Sequence, residues 1–274
     1  MCSATSRIAG EKPYRIIQIT DSHLGGSRDQ TLLGINNYQS LELVVELVKQ
    51  QEGQNFDRIL ASGDVSFDQS EQSYRDFLEL MAPFQRPVSW LPGNHDSPEM
   101  MDGITGDLWL ESEPVIELGD WQLILLNSNS PGEIGGQFEK GELHLLENAL
   151  AQNDTRHALI GLHHHPVPVG CDWMASQQLA NADEFFEIVD KYPSVKLVVW
   201  GHIHQEFDAL RNQLRLLATP STCHQFEPQQ KPFTIGRQLP GYRWIDLYPS
   251  GIIETGVARI KSTPFEIDYQ TKGY

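Results

Sequence analysis

What the sequence lacks narrows its chemistry. No stretch approaches the roughly 18 consecutive apolar residues that span a bilayer, so no membrane helix is expected. The first 13 residues, MCSATSRIAGEKP, are polar and small, and are read as an N-terminal extension with no apolar run to serve as a signal. Residues 14–274 are read as one domain, because no Ser/Gly/Pro linker, charge block, internal repeat or low-complexity segment interrupts them. Cysteine is scarce. The three present, Cys2, Cys171 and Cys223, are too few and odd in number for a disulfide framework. Free thiols are expected over a Cys171–Cys223 bridge, which fits the reducing cytoplasm. Basic concentrations are also missing: no more than two Lys or Arg fall together, and the net charge is −17. A protein this acidic repels a phosphate backbone, so neither nucleic acid nor a membrane is expected as a partner.

What is present is a layered α/β pattern. Tyr14–Thr20, Arg58–Ala61, Val88–Leu91, His157–Leu162 and Val195–Trp200 read as strands. Between them, Ser40–Gln51 places Leu41, Val44, Val45 and Val48 at helical spacing, with Ser40 as its N-cap. Further helices are expected over Gln72–Met81, Glu139–Gln152 and Asp183–Tyr192. Pro114–Asn127 reads as a hairpin turning at Gly119-Asp120. The last third reads as hairpins through Leu214–Ala218, Tyr242–Tyr248 and Ile252–Arg259, separated by a long Pro- and Gln-rich loop from Thr219 to Pro240.

Five polar clusters each follow one of the expected strands. They are Asp21-Ser22-His23, Gly63-Asp64, Gly93-Asn94-His95-Asp96, His163-His164-His165 and Gly201-His202-Ile203-His204. Ligands of open α/β sheets bind beyond the carboxyl ends of strands, so the five can meet in one crevice. If extended, residues at i and i+2 face the same way, which would aim Asp21 with His23 and His202 with His204 at common points. The glycines before Asp64, Asn94 and His202 permit sharp turns and close approach. Carboxylate, imidazole and amide oxygen together suit borderline divalent ions such as Mn, Fe, Zn or Ni. The absence of Cys from the set argues against a closed structural zinc site. Of the three consecutive histidines, one is expected to be a ligand, one to pack or bond to backbone, and one to be exposed.

Taken in order, these five blocks resemble the signature of the calcineurin-like metallophosphoesterase family: Asp-x-His, Gly-Asp, Gly-Asn-His-Asp/Glu, a later His, and Gly-His-x-His. The similarity extends to the bacterial class III 3′,5′-cyclic AMP phosphodiesterases through Leu33-Gly34-Ile35-Asn36, His163–Pro166 with Gly170-Cys171-Asp172-Trp173, Gly201–Glu206 and Leu217–Cys223. The resemblance implies a four-layer α/β/β/α sandwich of two mixed sheets flanked by helices, with the late hairpins in the second, more antiparallel sheet. It also implies two divalent ions, one held by Asp21, His23 and His204, the other by Asn94, His163 and His202, with Asp64 bridging. His163 matches the family ligand, and His164 is the alternative. His95 would be an acid–base group positioned by Asp96. A metal-bridging hydroxide would attack phosphorus while the metals, Asn94 and His95 stabilise the gathering charge.

The expected substrate is a small cyclic nucleotide, 3′,5′-cyclic AMP giving 5′-AMP, touched by His23, Asn94, His95, His163 and His204. Three loops could reach its base or ribose: Gly34–Tyr38, Gly170–Met174 and His224–Phe226. Trp173 and Phe226 offer faces for adenine, although spacing alone favours aromatics that merely pack their loops. The competing readings are another phosphodiester, a phosphomonoester or a nucleotide pyrophosphate as substrate; a metal-dependent nuclease; and a scaffold of the same fold without catalysis.

Overall fold

A computed structural model describes residues 11–153 and 155–273. Most of the expected polar extension, and Cys2 with it, lies outside the described residues. Strand β1 (Tyr14–Ile19) is followed by a two-residue ribbon, β2 (Thr31–Leu32) and β3 (Ile35–Asn36), which runs into helix α1 (Asn37–Gln51). Then come β4 (Arg58–Ala61), α2 (Glu71–Met81), β5 (Val88–Trp90) and the short α3 (Pro98–Gly103). The expected hairpin is β6 (Val115–Leu118) and β7 (Trp121–Leu125), which turns at Gly119-Asp120. Next are α4 (Lys140–Gln152), β8 (His157–Gly161), α5 (Ala182–Val189) and β9 (Val195–Trp200). The chain ends with β10 (Phe207–Arg211), β11 (Leu214–Ala218), β12 (Gly241–Leu247) and β13 (Ile253–Arg259).

Two mixed sheets result. The first has the order β13-β12-β1-β4-β5 and the second β10-β11-β9-β8-β7-β6. In the first, β1, β4 and β5 run parallel out to one edge and β12 and β13 are antiparallel at the other; in the second, parallel β7, β8, β9 and β11 are flanked by antiparallel β6 and β10. The late hairpins do not all join the second sheet. Strand β11 does, beside β9, whereas β12 returns to pair antiparallel with β1 and carries β13 to the edge of the first sheet.

The side-chain period of two explains the layering. On β1, Ile17 and Ile19 face α1 and α2, where they meet Val44, Val48 and Phe77. Ile16 points the other way, into an apolar layer between the sheets with Leu60, Leu159, Leu197 and Leu217. Beyond the second sheet, Leu146 and Leu150 of α4 and Phe185 and Val189 of α5 cover Ile160 and Val198. This is the expected four-layer α/β/β/α sandwich. Gln18 is a polar residue in the middle layer. Its amide donates to Ser62 Oγ at 2.8 Å and Trp200 O at 3.1 Å and accepts from Thr219 Oγ1 at 2.6 Å, which ties the two sheets together just below the strand ends.

Helix α1 begins a turn before its expected start. The N-cap is Asn36, whose side chain accepts the Gln39 N–H at 2.8 Å, while Ser40 sits inside the first turn and donates to Thr222 O at 2.6 Å. An Asn serves this capping role as well as a Ser. Strand β10 was not expected. Asp208 and Leu210 are exposed on it, so it carries no apolar run.

Leu159 is fully buried on the central strand β8 between the sheets. Leu159→Ala should therefore cost about 2–5 kcal/mol, a transfer loss plus a cavity. Urea unfolding would show it as a lower midpoint with an unchanged slope; a loss below about 1 kcal/mol would mean this layer collapses freely onto the void.

Candidate metal centre

All five clusters meet where the strands end. Asp21, Asp64 and Asn94 come from the ends of β1, β4 and β5 of one sheet, and His163, His202 and His204 from the ends of β8 and β9 of the other. The convergence is as expected, but its backbone cause is different. Asp21, His23, Asp64, His202 and His204 have φ of +53°, +47°, +51°, +63° and +48°, so these ligand candidates are left-handed and not extended. Each such residue costs roughly 1–2 kcal/mol of backbone strain. A backbone ladder holds the first three: Asp21 N–H donates to Gly63 O (3.0 Å), His23 N–H to Asp64 O (2.9 Å) and Leu24 N–H to Val65 O (2.9 Å).

The glycines serve close approach. A Cβ on Gly201 would lie 2.1 Å from Thr20 Oγ1 and 2.7 Å from Asp21 Oδ2. One on Gly93 would lie 2.2 Å from Asp64 Oδ1, and one on Gly63 would lie 2.3 Å from His163 Nδ1.

Both oxygens of Asp21 accept the His202 N–H at 3.0 Å, and Oδ1 lies 3.3 Å from His204 Nε2. Asp64 Oδ2 lies between His163 Nε2 (3.3 Å) and His23 Nε2 (3.7 Å). The two rings His23 and His204 face each other, Nε2 to Nε2, at 3.2 Å. Two tautomers are set by backbone carbonyls, which can only accept. His163 Nδ1–H donates to Ser62 O at 2.8 Å and His204 Nδ1–H to His224 O at 2.9 Å, which turns each Nε2 to the centre.

Among the described residues, the buried atoms Asn94 Oδ1, His163 Nε2 and His202 Nε2 have no hydrogen-bond partner. Buried polar atoms seldom go unsatisfied, and three that converge fit a cation, which would take the place of the His163 proton. Donor atoms of Asp21, Asp64 and His163 lie within 4.8 Å of one another, as do those of His23, Asp64 and His95. The donor chemistry, imidazole nitrogen with carboxylate and amide oxygen, fits divalent ions.

Burial depresses the pKa of His23, His202, His164 and His224, so all four are neutral imidazoles, the form that binds metal. Burial also acts on His163, but the charges of Asp64 and Asp21 outweigh it and push this group up to about 9. Asp64 stays well below the usual carboxylate range: burial opposes ionisation, and His163, His95 and His23 overcome it.

The triple histidine divides differently from expectation. His163 faces the centre. His164 is engaged at both nitrogens, by Ser128 Oγ at 2.8 Å and by Ile134 O at 3.2 Å. His165 stacks on His202 at 5.6 Å, and none of the three is exposed. Asp96, expected to position His95, bonds to main chain. Its carboxylate accepts the backbone N–H groups of Ser66 (2.8 Å), Gly93 (2.9 Å) and Val65 (3.2 Å), clasping the β4 loop to the β5 loop. Those bonds favour its ionised form, while burial and the Asp64 charge push it up to about 7. His95 is anchored instead through its own N–H, donated to Asp64 Oδ1 at 2.9 Å.

A cavity of about 500 Å³ opens over the centre, lined by Asp64, Asn94, His95, His202 and His204 together with Gln69, Gly132, Glu133, Ile134, Trp173, Gln177, Phe226, Phe233 and Gly273. Trp173 and Phe226 both reach it, and both also pack. Trp173 meets Phe226 edge-on at 4.9 Å and Phe233 at 5.0 Å, and Phe226 stacks on His204 at 4.4 Å. The Gly34–Tyr38 segment does not line the cavity. Asn37 Nδ2–H instead donates to His23 O at 2.6 Å, and Tyr38 lies under Arg28. Phe233 and Ile134 escaped sequence reading because they fall singly in long loops with no repeating spacing. Cys171 and Cys223 are buried free thiols, as expected.

The sequence model of the calcineurin-like phosphoesterase family matches residues 14–206. The chain belongs to that family. It is therefore a metal-dependent hydrolase acting on phosphoric esters. It is 44% identical over 261 residues to the 3′,5′-cyclic adenosine monophosphate phosphodiesterase CpdA of Pseudomonas aeruginosa, covering 94% of each chain. With the protein of the same name from Escherichia coli K12 it shares 41% identity, covering 98% of each. Among solved structures, it is similar to a dimetal phosphatase from Danio rerio (TM-score 0.59, 13% identity, 91% of this chain and 100% of that one). It also resembles GAP50, the anchor in the inner membrane complex of Plasmodium (TM-score 0.64, 13% identity, 95% and 88%). At such identity the shared property is the fold.

In the metal-free protein the five imidazoles with depressed pKa (His23, His164, His202, His224, and His165 at about 4) stay neutral where the unfolded chain takes up protons. Asp96, raised to about 7, opposes with one proton, and His163 is charged in both states there. The unfolded state binds more protons, so stability should fall as pH drops from about 6.5 to about 5. Urea midpoints of EDTA-treated protein across that window test this; a flat or rising midpoint would refute the neutral-imidazole centre.

Proposed function

We propose that this protein hydrolyses 3′,5′-cyclic AMP to 5′-AMP. The observation that carries the reading is the 44% identity, across 94% of both chains, with a protein named for that activity. Similar names attach to relatives from Vibrio vulnificus (38%) and, as a 3′,5′-cyclic-nucleotide phosphodiesterase, from Nostoc (37%). A cavity of about 500 Å³ with three aromatic rings beside the donor cluster suits a mononucleotide.

In this reading Asp21, His23 and His204 hold one divalent ion and Asn94, His163 and His202 a second, with Asp64 shared. The position of Asp64 Oδ2 between His23 and His163 supports the sharing. When bound, such a pair of ions supplies positive charge at the phosphoryl oxygens and makes water nucleophilic near neutral pH. The ions belong to the Mn, Fe, Zn or Ni class, as the mixed nitrogen and oxygen donors indicate.

The protein's own part is positional. Asp64 accepts the His95 N–H and so fixes the main chain carrying Asn94 and His95 at the cavity wall. The Asn94 side chain faces a phosphoryl oxygen, and the His95 ring gives a proton to the ribose 3′ oxygen as its bond to phosphorus breaks. Water supplies the new oxygen on phosphorus, so 5′-AMP is the single product. Trp173, Phe226 and Phe233 offer faces to the base, a contact worth about 1–3 kcal/mol per stacked base. The substrate is a small molecule, and the net charge of −17 disfavours nucleic acid and anionic membranes. Buried free thiols suit the cytoplasm. Among the described residues, no helix is long and apolar enough to cross a membrane.

Metal-reconstituted protein should turn over cyclic AMP and contain two ions per chain by elemental analysis, with Asp64→Ala losing more metal than Asn94→Ala. Activity on bis(p-nitrophenyl) phosphate without activity on cyclic AMP would overturn the substrate and leave the phosphoesterase chemistry standing.

His95→Ala should retain its metals yet slow cyclic AMP hydrolysis by about 10²–10⁴-fold. The deficit should shrink for p-nitrophenolate, a leaving group that needs little protonation. Equal deficits on both substrates would make His95 an electrostatic group and not the acid.

A further inference from the structure

The main chain of His95 is fixed by Asp64, and its imidazole is flanked by two aromatic rings. Phe67 stacks on the His95 ring with centroids 5.4 Å apart and planes 22° from parallel. On another side, the His23 ring meets His95 edge-on at 4.9 Å and 83°. Both contacts fall in the range where aromatic pairs attract. His95 thus stands in a corner formed by one parallel and one perpendicular ring.

Phe67 is itself held firmly. Its N–H donates to Leu24 O at 2.8 Å, at the end of the ladder that joins the Asp21 and Asp64 loops. Just beyond it the chain turns through Gln69 at φ +60°, where the Gln69 N–H donates to Ser66 Oγ at 2.8 Å and Asp68 accepts the N–H groups of Gly26 (2.8 Å) and Ser70 (3.1 Å). Phe67 is half-buried and does not line the cavity, whereas His95 does. It meets the centre through the His95 ring and, edge-on at 6.3 Å, through His23, so metal content separates the two routes.

We propose that Phe67 is a positioning residue which holds the His95 ring in the plane from which it protonates the leaving oxygen. The proposal rests on His95 acting as the acid. A freed ring would rotate out of line, and only the step that needs its proton would suffer. The loss of one ring-on-ring contact corresponds to a rate effect of about tenfold.

The test is a double-mutant cycle of Phe67→Ala and His95→Ala on the metal-loaded enzyme, read on diphenyl phosphate and bis(p-nitrophenyl) phosphate. Phe67→Ala alone should lower kcat on diphenyl phosphate about tenfold, leave KM within about threefold and keep the metal content. It should barely affect the p-nitrophenyl ester, and in the His95→Ala background it should cost nothing further. Phe67→Tyr, which keeps the stacked ring, should restore the rate. Equal losses with and without His95, or loss of metal in Phe67→Ala, would overturn the proposal. If His95→Ala itself shows no leaving-group dependence, the acid assignment fails first. Both readouts are independent of whether cyclic AMP is the natural substrate.

Discussion

Two carboxylates, Asp21 and Asp64, lie almost wholly out of water at 0% and 2% exposure, and the rest of the molecule is arranged around compensating them. An ionised carboxylate without partners in the interior costs several kcal/mol, so it must be met by hydrogen bonds and positive charge. Most of the groups that meet it come from the opposite sheet. His202 donates its N–H to Asp21, and the rings of His204 and His163 approach Asp21 and Asp64. Without a divalent ion, a proton on His163 supplies part of the missing charge, which is why that imidazole is raised to about 9 while its neighbours are depressed. The centre that binds cations is thus also the joint between the two halves of the sandwich.

That joint demands close backbone approach and unusual turns. Five ligand candidates occupy left-handed conformations, and glycines stand where any Cβ would strike Asp21, Asp64 or His163. The strain is tolerable because the turns are bonded to each other, through the ladder from Asp21 to Phe67 and through the three amides gathered by Asp96. Asp96 therefore shapes the centre through the main chain that it gathers. Rigidity of this kind is what a site needs if charge is to be stabilised without reorganisation.

The sandwich alone does not specify chemistry. A dimetal phosphatase and a Plasmodium membrane-complex anchor are both built on it, at 13% identity to this chain. What distinguishes this protein is the set of side chains at the strand ends and the aromatic wall beside them. Phe226 joins the two by stacking on His204 while its edge meets Trp173.

The sequence by itself determined most of the strands, the main helices between them and the seven side chains that converge, because hydrophobic period and chain order are local properties. The five clusters were legible since each follows a buried strand, and the parallel strands bring those ends to one side. Tertiary structure decided the rest. The return of β12 to β1 depends on pairing across more than 220 residues, as in Tyr14 with Leu247. The backbone of Asp21 and His204 had to be left-handed, against the preference of any L-residue, because only neighbouring loops could hold it so. The fate of the three histidines turned on which carbonyl or hydroxyl each ring met, Ser62 for one and Ser128 for the next. Phe67 and Phe233 gave no signal in the chain. Each became part of the site through a contact with a residue distant in sequence, and such contacts exist only once the strands have paired and their loops have packed.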